Sequence, residues 1–177
     1  MQFIQAFDDR ILNFIQENLR NPIMDKIIPA ITSLGNGGLV WIIIAIIFII
    51  TKKYRKYGLI MIPTLIICAL IGDITIKPLV ARERPFNITE GIELLIKAPT
   101  GFSFPSGHTM SSFAAATIIS KANKKFGIAA FILAALIGFS RMYLYVHYPS
   151  DVLVGCVLGI IFSSIIYKIV NRKLESY

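Results

Sequence analysis

Leu39-Val-Trp-Ile-Ile-Ile-Ala-Ile-Ile-Phe-Ile-Ile50 is an apolar run dominated by isoleucine, and it ends at a cluster of Lys52, Lys53, Arg55 and Lys56. A helix that is apolar on every side has no face to offer water, so it belongs in a bilayer or in a large core. The basic cluster beside it decides for the bilayer, because cytoplasmic loops carry an excess of Lys and Arg. The rest of the chain repeats the pattern. Its 177 residues are 55% hydrophobic and only 16% charged, with a mean hydropathy of +0.70. The apolar blocks approach the length that crosses a membrane, roughly 17 to 25 residues. The composition implies an all-α, polytopic membrane protein forming a single domain over residues 1–177.

Working outward, residues Phe3 to Leu19 place Phe3, Phe7, Ile11, Phe14, Ile15 and Leu19 at helical spacing opposite a polar face. The spacing predicts an amphipathic helix lying in the interface over residues 1–20. The N-terminus lacks a basic n-region, so it does not read as a cleavable signal peptide. Ile23 to Leu34 is short and predicts either a first span or a buried half-span. Spans then follow at Leu39–Ile50, Tyr57–Lys77, Ser106–Ser120, Phe126–Tyr145 and Asp151–Val170, about six in all. A full first span puts both termini in the cytoplasm; a half-span puts the N-terminus outside.

The net charge of +8 does not imply nucleic acid, because much of the Lys and Arg borders the apolar blocks. Cys68 and Cys156 lie inside apolar runs and read as packing residues. The basic clusters after Ile50, after Ser120 and after Val170 agree on one cytoplasmic side. Lys77, Arg82, Arg84 and Arg141 fall on the other side, and a charge that breaks the rule at a membrane boundary needs a reason.

Three polar clusters contain these exceptions. Lys77 and Arg84-Pro85 are separated by six residues; Phe104-Pro-Ser-Gly-His108 follows; then comes Ser140-Arg141, with His147 and Asp151 beyond it. A histidine near an aspartate is suited to nucleophilic or base chemistry, because the carboxylate fixes the tautomer and steadies the imidazolium. Arginine supplies a permanently charged fork for phosphate. His108 to Asn123 and Phe126 to Arg141 are each ~22 Å of helix, so Arg141 and His108 should lie level. His147 must then curl back over the site or cap it. Asp73, one turn before Lys77, reads as its counter-ion. Arg82 and Glu83 read as solvated or mutually paired. Ile92 to Ile96 reads as a patch that dips into the headgroup layer.

Taken together and in order, the three clusters resemble the signature of the type 2 phosphatidic acid phosphatase superfamily. The resemblance is to its membrane lipid phosphatase branch, whose small six-span bacterial members act on phosphatidylglycerophosphate or undecaprenyl pyrophosphate. It implies that His147 attacks phosphorus to form a phosphohistidine, that Asp151 orients it, and that His108 protonates the leaving oxygen. It implies phosphate binding by Lys77, Arg84, Arg141, Ser106 and Gly107. These roles suit the chemistry of the residues, since backbone N–H groups at a helix start make an anion site. Three fixed cations would replace a metal, so neither a metal nor another cofactor is expected. The expected partners are membrane lipids and a lipid phosphate entering from the bilayer, with no nucleic acid and no obligate protein partner. The expected setting is a bacterial plasma membrane with the site on the extracytoplasmic face. A lipid-phosphate carrier without turnover is the alternative; a haloperoxidase would need the same anion cradle but is disfavoured by the membrane architecture.

Overall fold

The computed structural model describes residues 2–175, with side chains over 3–173; the ends of the expected 1–177 domain and the first residue of the interfacial helix lie outside that range. Every regular element is helical: α1 (Gln2–Asn18), α2 (Pro22–Leu34), α3 (Leu39–Ile50), α4 (Arg55–Ala69), α5 (Lys77–Val80), α6 (Pro85–Ile88), α7 (Gly107–Ala122), α8 (Lys124–Tyr143) and α9 (Pro149–Glu175). A π-helical stretch, Leu70–Ile76, joins α4 to α5.

The centre is α7. It is enclosed by α4, α8 and α9, and Ala114, Ala115, Ala116 and Ile118 on it are fully buried. Its small side chains let neighbouring backbones come close. A Cβ at Gly155 of α9 would stand 2.8 Å from the Ser106 carbonyl, and one at Gly159 would stand 2.4 Å from that of Met110. Those glycines are what allows α9 to seat on α7. The Trp41 indole donates to Ser112 Oγ at 2.9 Å, tying α3 to the same helix.

Between α2 and α3 the chain bends by 46°, through Gly37 and Gly38 at φ +57° and +70°. Two separate spans would need a reversal here, and 46° is far from one. Asp25 meets the Tyr143 hydroxyl, Thr32 meets Arg141, and Gly35 lies against Ile137, so α2 descends along α8. α3 carries on to the far end, where Phe48 stacks on Tyr54, itself against Phe126. The two segments are therefore one bent path, in which Ile23 to Leu34 is the half that precedes the bend. By length and hydropathy, Arg55–Ile88, Lys124–Tyr143 and Pro149–Lys173 are long enough to cross singly, and the bent pair, counted as one span, would make a fourth. At 16 residues, α7 is shorter and shielded by its neighbours.

α1 lies across the end of the bundle where α8 gives way to α9, with Gln16 Nε2 donating to the Tyr143 carbonyl at 2.9 Å. α9 then leads ~40 Å away, so α1 and the end of α9 occupy opposite ends of the molecule. The face of α1 turned to the protein is Asp8, Leu12 and Ile15, all buried, while Phe3, Phe7 and Phe14 stay exposed. The apolar stripe expected from the sequence is thus divided, and its polar opposite face is not uniformly wet. Ile92 to Ile96 also departs from expectation: it folds back on the protein, with Ile92 and Leu94 against Leu12, Tyr145 and Tyr148.

Candidate active site

Two backbone turns bring the motifs together. Ala81, at φ +48°, swings the chain out of α5 so that Arg82 and Arg84 return toward the bundle; Tyr145, at φ +58°, does the same after α8. Left-handed backbone is costly for residues with a Cβ, and such positions gather at functional sites. After Tyr145, the N–H groups of Val146 and His147 both reach the Arg141 carbonyl, at 3.1 and 3.3 Å. His147 therefore curls back over Arg141, as the helix lengths require.

His147 is 2% exposed and Asp151 0%. Nδ1 of His147 stands 3.4 Å from Asp151 Oδ2, and the Ser103 hydroxyl donates to that same oxygen. The Tyr148 N–H donates to it too, at 2.9 Å. On the other side of the ring, Arg84 Nη1 lies 3.3 Å from Nε2. A guanidinium can only donate. Nε2 must therefore be the acceptor, which puts the ring hydrogen on Nδ1, facing Asp151. Burial pushes His147 down to about 4; the Asp151 hydrogen bond opposes this, and Arg141 and Arg84 push the same way as burial. The ring is neutral at pH 7, with its lone pair on Nε2.

Arg84 is held by carbonyls: Nε to Gly101 at 2.9 Å, Nη1 to Val146 at 2.9 Å and Nη2 to Thr100 at 3.2 Å. Arg141 donates from Nη1 to Thr32 Oγ1 at 2.6 Å, and its buried Nε has no partner. Among the described residues, neither guanidinium is ion-paired to a carboxylate. Lys77 is paired, with Nζ 2.5 Å from Asp73 Oδ1, the counter-ion expected one turn away. Lys77, Arg84, Gly107, His108, Arg141 and His147 all line one cavity of about 290 Å³. Two buried, uncompensated cations leave that cavity short of negative charge, and a buried charge needs a partner. The site is built for an anion.

The stretch of sequence that carries most of this cavity also matches a known family model. The PAP2 superfamily model aligns with residues 53–175. The chain belongs to the PAP2 superfamily. Among PAP2 relatives, it is 36% identical over 121 residues to the undecaprenyl-diphosphatase of Sulfolobus acidocaldarius, covering 68% of this chain and 58% of that protein. It is 27% identical over 173 residues to the lipid A 4'-phosphatase of Bacteroides thetaiotaomicron, covering 90% and 75%. Among solved PAP2 structures, the transmembrane phosphatidylglycerolphosphate phosphatase of Bacillus subtilis superposes with a TM-score of 0.80 at 27% identity, covering 97% of this chain and 88% of that one.

Within this PAP2 site, two residues named from sequence stand behind the cavity instead of lining it. Asp151 touches His147, and Ser106 caps α7, its Oγ accepting from the Thr109 N–H at 3.5 Å and from Thr109 Oγ1 at 2.9 Å. Ser106 is fully buried and departs from the expected phosphate contact: a side chain used as the cap holds the turn at Gly107 and His108. Four other residues were not legible as site residues. Ser103 meets Asp151, Thr32 meets Arg141, and Asn36 Oδ1 lies 2.9 Å from His108 Nε2. Arg82, expected to be solvated or paired with Glu83, instead reaches Asp151 Oδ1 at 2.7 Å and Asp8 Oδ2 at 2.7 Å. Ser103 sits one residue before Phe104-Pro-Ser-Gly-His108, and Arg82 lies between Lys77 and Arg84. Thr32 on α2 and Asn36 just beyond it are marked by no motif.

Proposed function

We propose that this PAP2 protein is a membrane phosphatase that removes the terminal phosphate of an isoprenoid pyrophosphate through a phosphohistidine. The observation that carries the reading is the pairing of unneutralised Arg84 and Arg141 with the Nε2 lone pair of His147 in one cavity. Nε2 attacks phosphorus, and an N–P bond forms as the bond to the leaving oxygen breaks. Asp151 steadies the positive charge that develops on the ring. His108 gives its proton to the leaving oxygen, then takes one from water, which attacks phosphorus and cleaves the N–P bond. Inorganic phosphate leaves, and both histidines return to their starting states. Lys77, Arg84 and Arg141 hold the oxygens on which charge accumulates, a task three cations can perform without a metal.

What else lines the cavity supports this substrate class. Beyond the charged groups and histidines, the lining is Gly35, Gly37, Gly38, Leu65, Cys68, Ala69, Pro99 and Gly107, with Ser111 the lone hydroxyl. That supplies little for a glycerol or sugar head to bond to. It suits a substrate whose hydrocarbon begins directly after its phosphates. The lipid enters from the bilayer past Leu65 and Ala69 of α4, and the cavity opens on the extracytoplasmic face.

The test is phosphate release by purified protein from undecaprenyl pyrophosphate, phosphatidylglycerophosphate and a lipid A phosphate, with and without EDTA. Fastest release from the pyrophosphate, unaffected by chelator and lost in His147→Ala, is the expected result. Binding without release would instead make the protein a lipid-phosphate carrier.

A further inference from the structure

Asp8 is a carboxylate with no exposed surface on a helix whose other face carries exposed Phe3, Phe7 and Phe14. Burying a carboxylate is costly unless it is well partnered, and even a paired one adds little net stability. The partners of Asp8 indicate a role beyond stability. Asp8 Oδ1 accepts from the Ser150 N–H at 2.8 Å, and Oδ2 accepts from the Ser150 hydroxyl at 2.5 Å. Oδ2 also accepts from Arg82 Nη2 at 2.7 Å, while Arg82 Nη1 donates to Asp151 Oδ1 at 2.7 Å. Gln5 Oε1 adds a bond to Nη2 at 3.0 Å, and the guanidinium lies 3.8 Å over the Tyr148 ring. The fork is held in every direction.

We propose that Asp8 is a positioning residue for the reaction, acting through Arg82 and Ser150 on the carboxylate of Asp151 and thereby on His147. Two effects combine. Tyr148 closes the first turn of α9 and has no side chain able to cap it, Pro149 has no N–H, and Asp8 caps Ser150 from another helix. The turn that carries Asp151 is thus set by α1. In charge, one guanidinium shared by two carboxylates leaves a net negative charge on the trio. Asp151 keeps the charge it needs to steady the ring during attack. With Asp8 neutral, Arg82 would be offset by Asp151 alone. The inference rests on His147 and Asp151 acting as proposed above, and it places a working residue outside the 53–175 stretch that the family model matches.

The experiment compares full-length wild type, Asp8→Asn, Asp151→Asn and the double variant, measuring phosphate release from undecaprenyl pyrophosphate in mixed micelles. Asp8→Asn keeps the shape and an oxygen for the Ser150 N–H but removes the charge. It should lower kcat on the order of 10- to 100-fold, as misplacement from outside the site does, with KM little changed. In the Asp151→Asn background it should cost almost nothing more. Arg82→Lys keeps the charge but has no fork to grip two carboxylates, and it should show the same kcat loss if Asp8→Asn does not fold. An unchanged kcat in Asp8→Asn, or a loss that multiplies with that of Asp151→Asn, overturns the proposal while leaving the catalytic reading intact. Full turnover in Asp151→Asn overturns the catalytic reading, and the proposal with it.

Discussion

Nη1 of Arg84 lies 3.3 Å from Nε2 of His147, on the opposite side of the ring from Asp151. On the proposed mechanism, the group that cradles phosphate thus rests on the nitrogen that attacks it. An incoming phosphoryl oxygen would take over the guanidinium hydrogen and free the lone pair in the same movement. Arg84→Lys keeps a charge but cannot reach both the carbonyls and the ring. Its kcat/KM should fall by about 100- to 1,000-fold, the range for losing one oriented donor, and vanadate should inhibit it more weakly than wild type. Nitrogen NMR of the labelled ring should find the hydrogen on Nδ1 in wild type. A hydrogen on Nε2 would contradict the assigned tautomer.

On the proposed mechanism, the acidity of His147 sets the acid limb of the pH profile. Its value is down at about 4, against 6.5 for an unperturbed histidine, and only the neutral ring has a lone pair to attack with. kcat/KM should therefore persist as pH falls through 6 and be lost near 4. The stability effect has the same sign. Between 6.5 and about 4 the unfolded chain binds the proton that the native ring refuses, so stability drops as pH falls through that window. His147→Gln should flatten this dependence. An acid limb close to 6.5 would mean that the attacking group is more exposed than this ring.

The two histidines should separate by leaving group. His147→Ala removes the nucleophile and should abolish turnover on every substrate alike. His108→Ala removes a proton donor, typically worth ~100- to 10,000-fold. The loss should be largest for a glycerolipid phosphate, whose alkoxide needs the proton, smaller for an isoprenyl pyrophosphate, and smallest for a nitrophenyl phosphate. Rapid quenching should trap an acid-labile phosphohistidine at His147. Phosphate found on His108 would exchange the roles.

Because α2 and α3 form one bent path, α1 and the site share one end of the molecule, and the end of α9 lies at the other. Single cysteines at Glu93 and Lys53, in a background lacking Cys68 and Cys156, should react from opposite faces of sealed cells. The one at Glu93 should label from outside, together with one at Asn18. Labelling of Asn18 and Glu93 from different faces would mean that α2 crosses by itself.

How much of this was readable beforehand depends on the range of each interaction. Hydropathy is a local sum, so the all-helical membrane character of the chain could be taken from Leu39–Ile50 and its basic flank alone. Helix rise is constant, so counting residues along α7 and α8 set His108 and Arg141 level and required His147 to fold back. Pairs four apart on one turn, such as Asp73 with Lys77 and His147 with Asp151, are neighbours wherever the turn forms. Tertiary structure alone decided the rest. Asp8 meets Ser150 across 142 positions, Thr32 meets Arg141 across 109, and Ser103 meets Asp151 across 48. No periodicity links residues so far apart. Arg82 illustrates the reason: beside Glu83 in the chain, it looked solvated, but the left-handed turn at Ala81 aims it between two buried carboxylates. Which partner a charge finds is set by where the backbone turns and by what other helices bring to that place, and neither is written in its neighbours.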